Sequence, residues 1–151
     1  MYRFLFFFLF FHVFSAQTTF YKVKKIADGD TFWIDNGTHK GEKIRLIGID
    51  APESRNFGIK IKQEYFGKEA KNYLKNLLKN KKVRLELDIQ KTDRYGRTLA
   101  YVYLENGIFL NAHLVENGYA LAYTIAPNVK FAPLFYQLQI KARRHKKGIW
   151  K

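Results

Sequence analysis

The sequence predicts an α+β domain, mainly β, built as a five-stranded Greek-key barrel of OB type with about three helices. Three observations point there. Five short runs of alternating or branched apolar residues are separated by Asp-Gly, Asn-Gly and similar clusters, the residues tight turns demand. One amphipathic stretch interrupts the runs after the third, and two helical stretches follow the fifth. No repeat or linker divides the chain, whose length suits a single domain with its own core.

The first strand is expected over Phe20–Ile26, with Tyr21 and Val23 on one face. Asp28-Gly29-Asp30 reads as a hairpin connection, Gly29 supplying the positive φ of a tight turn. Thr31–Asp35 forms the second strand, and Asn36-Gly37 leads into a third, Glu42–Ile49. This three-stranded meander delivers Asp30 and Asp50 from neighbouring strands. Glu53–Lys62 has no clean period and reads as an exposed loop.

Over Gln63–Asn80 the residues Phe66, Ala70, Tyr73, Leu74 and Leu77 recur at helical spacing, while Lys68, Lys71, Lys75 and Lys79 face outward. That lysine face reads as a solvated surface. Lys82–Ile89 alternates strictly, which places Val83, Leu85, Leu87 and Ile89 inward. Thr92–Arg97 turns the chain into the fifth strand, Thr98–Leu104. Leu110–Asn117 is a short helix ended by Gly118, a residue suited to the left-handed cap. The last helix begins near Pro133 and is expected to bury Leu134, Leu138 and Ala142. It finishes in the cationic run Lys141–Lys147, where the macrodipole favours positive charge.

Residues 1–16 read as a secretory signal peptide: Tyr2 and Arg3 precede an apolar run from Phe4 to Phe11, and Ser15-Ala16 supplies small residues for cleavage. The run is short for a bilayer span, and an uncleaved anchor is the lesser alternative. Residues 17–151 form the mature domain, which is expected to be secreted or periplasmic, monomeric and not stably bound to membranes. The chain has no cysteine, which excludes a disulfide framework and thiolate metal ligands. Its formal charge of +14 owes only Arg3 to the leading segment, so the domain itself is strongly basic. Such a domain meets a polyanion, although the same charge also serves solubility.

The stretch Arg45-Leu46-Ile47-Gly48-Ile49-Asp50-Ala51-Pro52-Glu53 organises the rest. It is an apolar run with a cation at one end and two carboxylates beyond the other, and Pro52 stops the strand where the acids begin. A regular pleat would send Arg45 and Asp50 to opposite faces, because they lie an odd number of residues apart. If they share a site the chain bends between them, and Gly48 is the place for it. The plain alternative is a buried strand followed by an ordinary proline turn.

Taken together, Asp28-Gly29-Asp30-Thr31, then Arg45 through Glu53, then Thr92-Asp93-Arg94-Tyr95-Gly96-Arg97 resemble the staphylococcal nuclease (thermonuclease) family. The resemblance runs from about Lys22 to the closing Gly148-Ile149-Trp150. It implies an OB-fold phosphodiesterase that uses Ca2+ to hydrolyse DNA and RNA and leaves 3′-phosphate ends. By motif position, Asp30, Asp50 and the Ala51 carbonyl correspond to metal ligands, and Asp28 to an acidic position behind them. Glu53 corresponds to a general base or water positioner, and Arg45 and Arg97 to phosphate-binding arginines. Tyr95 and Tyr123 correspond to tyrosines that contact the nucleotide. The resemblance weakens over Ser54–Lys62 and at Ile125, where the family's type member has a second tyrosine.

These residue types suit that chemistry independently. Oxygen donors without thiols fit a hard divalent cation. Guanidinium forks can meet charge developing on a phosphoryl group. His39, His113 and His145 are scattered without metal-ligand spacing and read as surface or structural residues. Asp93, just ahead of a turn, reads as bonding its own backbone. A basic OB barrel with exposed tyrosines favours single-stranded or frayed DNA and RNA. The competing readings are a non-catalytic OB-fold module that binds single-stranded nucleic acid and, behind it, a cationic membrane-active protein.

Overall fold

The computed structural model describes residues 18–52 and 61–151. Five strands close into a barrel in the order β1, β2, β3, β6, β5. They are β1 (Tyr21–Asp28), β2 (Thr31–Ile34), β3 (Glu42–Leu46), β5 (Lys82–Glu86) and β6 (Thr98–Leu104). A separate two-stranded sheet joins β4 (Ile49–Asp50) to β7 (Leu121–Ala122). Three helices complete the fold: α1 (Ile61–Leu78), α2 (Leu110–Glu116) and α3 (Ala132–Arg144). This is the OB-type barrel with three helices that the sequence predicts.

The meander β1–β2–β3 is antiparallel throughout, whereas β3 meets β6 in parallel, with Arg45 opposite Leu99. That pair and the β1–β5 pair close the barrel. Phe32, Ile34, Ile44, Leu46, Val83, Ala100 and Val102 join one core with Ala70, Leu74 and Leu78 of α1 and Leu110 and Leu114 of α2. The expected stripe of α1 is therefore its buried face. Gly118 ends the α2 segment at φ 72°, as a left-handed cap requires.

Several expectations need correction. The third strand is not continuous to Ile49: it ends at Leu46, and Gly48, at φ 75°, breaks it before β4 resumes. Gly48 is thus the bend that the spacing of Arg45 and Asp50 requires. A Cβ there would also lie 2.5 Å from the Phe135 ring, so close packing fixes glycine independently of φ.

Gly29 does not adopt positive φ. Its role is steric, since an added Cβ would meet the Ala51 Cβ at 2.7 Å and the Ala70 Cβ at 3.1 Å. Only glycine lets the β1–β2 turn seat against both α1 and the segment after β4.

The fourth predicted strand stops at Glu86, where its pairing with Tyr101 ends. Beyond it the chain leaves the barrel, so Leu87 and Ile89 are exposed rather than inward-facing. Leu134 is likewise exposed, because the inward stripe of α3 runs through Phe135, Leu138 and Ala142 at i, i+3 and i+7. The loop expected through Lys62 gives way to α1 at Ile61. The readings placed on residues 1–16, on Glu53 and on most of the Ser54–Lys62 loop lie outside the described residues. Among the described residues, no helix is long and apolar enough to cross a membrane.

Candidate active site

The register of β2 and β3 places Thr31 opposite Arg45, and the Leu46 N–H donates to the Asp30 carbonyl at 3.0 Å. Asp30 therefore sits beside the base of the Arg45 side chain. The bend at Gly48 then returns Asp50 to the same spot. Arg45 Nη2 donates to Asp50 Oδ1 at 2.7 Å, while Nη1 lies against Asp30 Oδ2. One guanidinium thus holds both acids.

Asp30 is 6 % exposed and has its oxygens committed: Oδ1 accepts from Thr31 Oγ1 at 2.8 Å and Oδ2 from the Ala51 N–H at 2.7 Å. The Asp50 side chain is 52 % exposed and faces water. Ala51 is buried beside them. Asp28 closes its own turn, accepting the Gly29 N–H at 3.0 Å.

Arg45 opens onto a cleft of about 530 Å³, lined also by Gly48, Asp93, Arg94, Tyr95, Arg97, Tyr123 and Ile125. The structure therefore brings together Arg45, Arg97, Tyr95 and Tyr123, contributed by β3, the turn before β6 and the segment after β7. Tyr95 and Tyr123 are 68 % and 56 % exposed, with the Arg94 and Arg97 guanidiniums 4.8 and 5.4 Å from the centre of the Tyr95 ring. Asp30 and Asp50 adjoin the cleft through their contacts with Arg45.

Asp93 contributes more than a turn. Its Oδ1 accepts the N–H groups of Tyr95 and Arg97 at 2.9 and 3.0 Å, and its Oδ2 accepts Arg97 Nε at 2.6 Å. The turn reading is correct, but the grip on the Arg97 side chain went unread. Its sequence signal is an acid four residues before an arginine, across Tyr95-Gly96. Partial burial alone would raise the Asp93 carboxyl, yet hydrogen bonds from Arg97 and Tyr95 prevail and hold it below the usual carboxylate range. With Nε occupied, the terminal nitrogens of Arg97 are the ones left to meet a ligand.

A second residue that sequence reasoning missed is Asn111, fully buried on α2. Its Oδ1 accepts the Val102 N–H at 2.9 Å and its Nδ2 donates to the Ile47 carbonyl at 2.9 Å. It pins the residue before the Gly48 bend to β6. His113 is structural, as expected: its Nε2 lies 2.8 Å from the Tyr73 hydroxyl and joins α2 to α1. Burial pushes the imidazole below its ordinary value, and Lys147 adds to this against the opposing pull of Glu116.

Among the described residues, no three His, Cys, Asp or Glu side chains gather at one point. The donors at hand are two carboxylates and the backbone beside them, hard oxygen ligands of the kind Ca2+ accepts in irregular geometry. A cation there would take over the acids' contact with Arg45.

A closed five-stranded barrel with a cationic, tyrosine-rimmed cleft defines the class: an OB-fold protein whose cleft suits an anionic, aromatic ligand. Residues 43–151 match the family model described as staphylococcal nuclease homologue, and the chain belongs to the staphylococcal nuclease family. It is 42 % identical over 136 residues to the thermonuclease of Staphylococcus hyicus, covering 90 % of this chain and 78 % of that protein. It is also 42 % identical over 130 residues to the thermonuclease of Staphylococcus intermedius, covering 86 % and 75 %. The endonuclease YhcR of Bacillus subtilis is 35 % identical over 134 residues, a match that takes in 85 % of this chain but 11 % of that longer protein.

Proposed function

We propose that this nuclease is an exported, Ca2+-dependent phosphodiesterase that cleaves DNA and RNA, prefers single-stranded or frayed segments, and leaves 3′-phosphate ends. The observation that carries the reading is the position of Arg45, which holds Asp30 and Asp50 on one side and opens into the cleft shared with Arg97, Tyr95 and Tyr123 on the other. Guanidiniums for a phosphate and rings for bases line one opening, and the acids that would hold a cation adjoin it through Arg45.

In this reading Asp30, Asp50 and the Ala51 carbonyl hold the ion. When bound, it supplies positive charge to a phosphoryl oxygen and lowers the pKa of a nearby water. Arg45 and the terminal nitrogens of Arg97 bind the scissile phosphodiester and meet the charge that builds on its oxygens. Glu53, matched by motif position, takes the proton of the attacking water. The water oxygen bonds to phosphorus, the P–O5′ bond breaks, and the 5′-oxygen leaves with a proton taken from solvent, while Glu53 returns its proton to solvent. Tyr95 and Tyr123 offer stacking faces, which a base can reach only when it is unpaired.

The apolar run over residues 4–14 supports export. The basic domain supports a polyanionic substrate and a salt-sensitive affinity. The purified mature protein, given labelled single-stranded DNA and RNA with Ca2+ or with chelator, tests the reading. Cutting that needs Ca2+ and leaves 3′-phosphates is the expected result. Tight binding without cutting would transfer the chain to the non-catalytic reading.

A further inference from the structure

β1 and β5 close the barrel by pairing Tyr21 with Val83 and Lys22 with Lys82. Val83 is buried in the core and Tyr21 packs against it, so Lys22 and Lys82 project outward together, directly opposite one another. Like charges in that position repel across about 5 Å and weaken the seam. Lys81 stands beside them, its carbonyl accepting the Val23 N–H at 3.3 Å, and Lys79 lies on the same turn, where Asn80 takes φ 58°. All four lysines are exposed.

Among the described residues none of the four is in an ion pair. Asp35, whose N–H bonds the Lys22 carbonyl at 2.8 Å, directs its carboxylate to the Gly37 N–H at 3.1 Å. Glu105, one residue past the Leu104 that pairs with Val83, is in no ion pair either. The macrodipole of α1 favours a cation such as Lys79 at its C-terminal end, but it fades within a turn and does not account for Lys81, Lys82 and Lys22. Solubility asks for charge, not for charges set against each other across a seam.

The cluster is separate from the cleft. Along β1 the register runs from Val23 opposite Ile34 to Asp28 opposite Thr31, and Thr31 in turn faces Arg45. The lysines therefore sit at the far end of the barrel from Arg45, roughly 15–20 Å away at about 3.3 Å per residue, and none of them lines the cleft.

We propose that Lys22, Lys79, Lys81 and Lys82 form a second binding site, outside the cleft, for the phosphodiester backbone of long substrate strands. This rests on the nucleic-acid reading above. Ammonium groups without acids beside them suit successive phosphates, and the exposed amides Asn76 and Asn80 on the same turn can donate to phosphate oxygens. A lipid surface would call for several apolar side chains inserted among the cations, and Phe20, 38 % exposed just ahead of β1, is a single ring. A strand held at both points gains affinity through effective concentration, which a strand too short to span them cannot.

The test is fluorescence anisotropy in chelator, so that binding is read without cutting. Labelled oligothymidylates of about 25 and about three nucleotides are used; at about 3.4 Å of strand per nucleotide the shorter covers about 10 Å and does not reach from cleft to patch. Lys22→Gln/Lys82→Gln is compared with the wild-type chain and with Lys146→Gln/Lys151→Gln, which removes the same charge from exposed lysines elsewhere. The patch variant is expected to lose about tenfold on the long strand at about 0.1 M salt, with a salt slope shallower by about 1.4 for two lost phosphates. Its affinity for the trimer is expected to stay that of the wild type. Unchanged affinity for the long strand would overturn the site, as would a parallel loss on the trimer or an equal loss in the control variant. A patch variant that keeps the strand but loses phosphatidylglycerol vesicles that the wild type binds would overturn it in favour of a lipid surface. Should this variant melt early, Lys79→Gln/Lys81→Gln carries the same test. A wild-type chain that binds long strands through the patch but never cuts them in Ca2+ would sink the phosphodiesterase reading while leaving the patch in place.

Discussion

Arg45 and Asp50 are joined by a 2.7 Å hydrogen bond from Nη2 to Oδ1, across a turn that exists because Gly48 takes φ 75°. The same guanidinium contacts Asp30, so the acids proposed as metal ligands are held by a cation of the chain's own. In the proposed reading, an ion held by these oxygens would compete with Arg45 for them and would leave the guanidinium for the phosphate. Asp50→Asn is expected to raise the Ca2+ concentration for half-maximal turnover at least about tenfold, the scale on which even indirect partners of a metal count. A calcium titration of the purified variant checks this, and an unchanged midpoint would remove Asp50 from the metal site.

Arg97→Lys keeps the charge but loses the planar fork and the Nε bond to Asp93. Turnover is expected to fall at least about tenfold, within the range of one lost preorganised donor. Glu53→Gln should fall by a similar or larger factor, as loss of a positioned base does. Initial rates on single-stranded DNA, with circular dichroism to confirm folding, decide each role separately.

Gly48→Ala tests the bend. The new methyl would sit at positive φ and meet the Phe135 ring, so a loss of about 2–4 kcal/mol of stability is expected from conformational strain and overpacking together. Urea unfolding measures it. Adding Phe135→Leu should restore only the part owed to the ring, leaving the backbone strain visible.

Asn111→Ala leaves the Val102 N–H and the Ile47 carbonyl buried without those partners. Each orphaned group costs about 1–3 kcal/mol, so this variant should rank among the least stable single substitutions in thermal melts. Its expected activity loss is larger than the fraction unfolded, because Ile47 sets the approach to the bend.

The low imidazole pKa of His113 makes stability depend on pH. The unfolded state titrates near the ordinary value of 6.5 and the folded state below it, so the unfolded chain binds more protons between the two. Stability is then fully present above about pH 6.5 and declines as the pH falls through the folded value. His113→Gln should flatten that part of a stability profile measured between pH 7.5 and 5, and an identical slope in the variant would assign the effect elsewhere.

The barrel was largely legible because its strands alternate and its turns carry Asn-Gly and Asp-Gly. The Gly48 bend was legible from arithmetic alone, since an odd spacing cannot bring Arg45 and Asp50 together on a regular strand. What local pattern could not reveal was long-range. The parallel pairing of β3 with β6 joins residues more than fifty positions apart, and the run Lys82–Ile89 stops as a strand at Glu86 because its pairing with β6 ends at Tyr101. Gly29 misled because Asp-Gly signals a turn while the actual demand came from Ala51 and Ala70 across the fold. Asn111 carries no local signal, because periodicity has no term for a buried amide that completes two backbone groups. Asp93 is legible as a turn former, and its hold on Arg97 has only the weak signal of an acid four residues before an arginine across a tight turn.

The short sheet of β4 and β7 ties Ile49 to Ala122 and Asp50 to Leu121. A nascent polypeptide that has emerged only through β6 thus possesses every acid and arginine of the cleft but lacks the partner strand that steadies Asp50 and the tyrosine that follows it. The hydrolytic apparatus is consequently a late product of synthesis, and truncation products lacking the C-terminal fifth of the chain should be harmless to the nucleic acids of the cell that makes them.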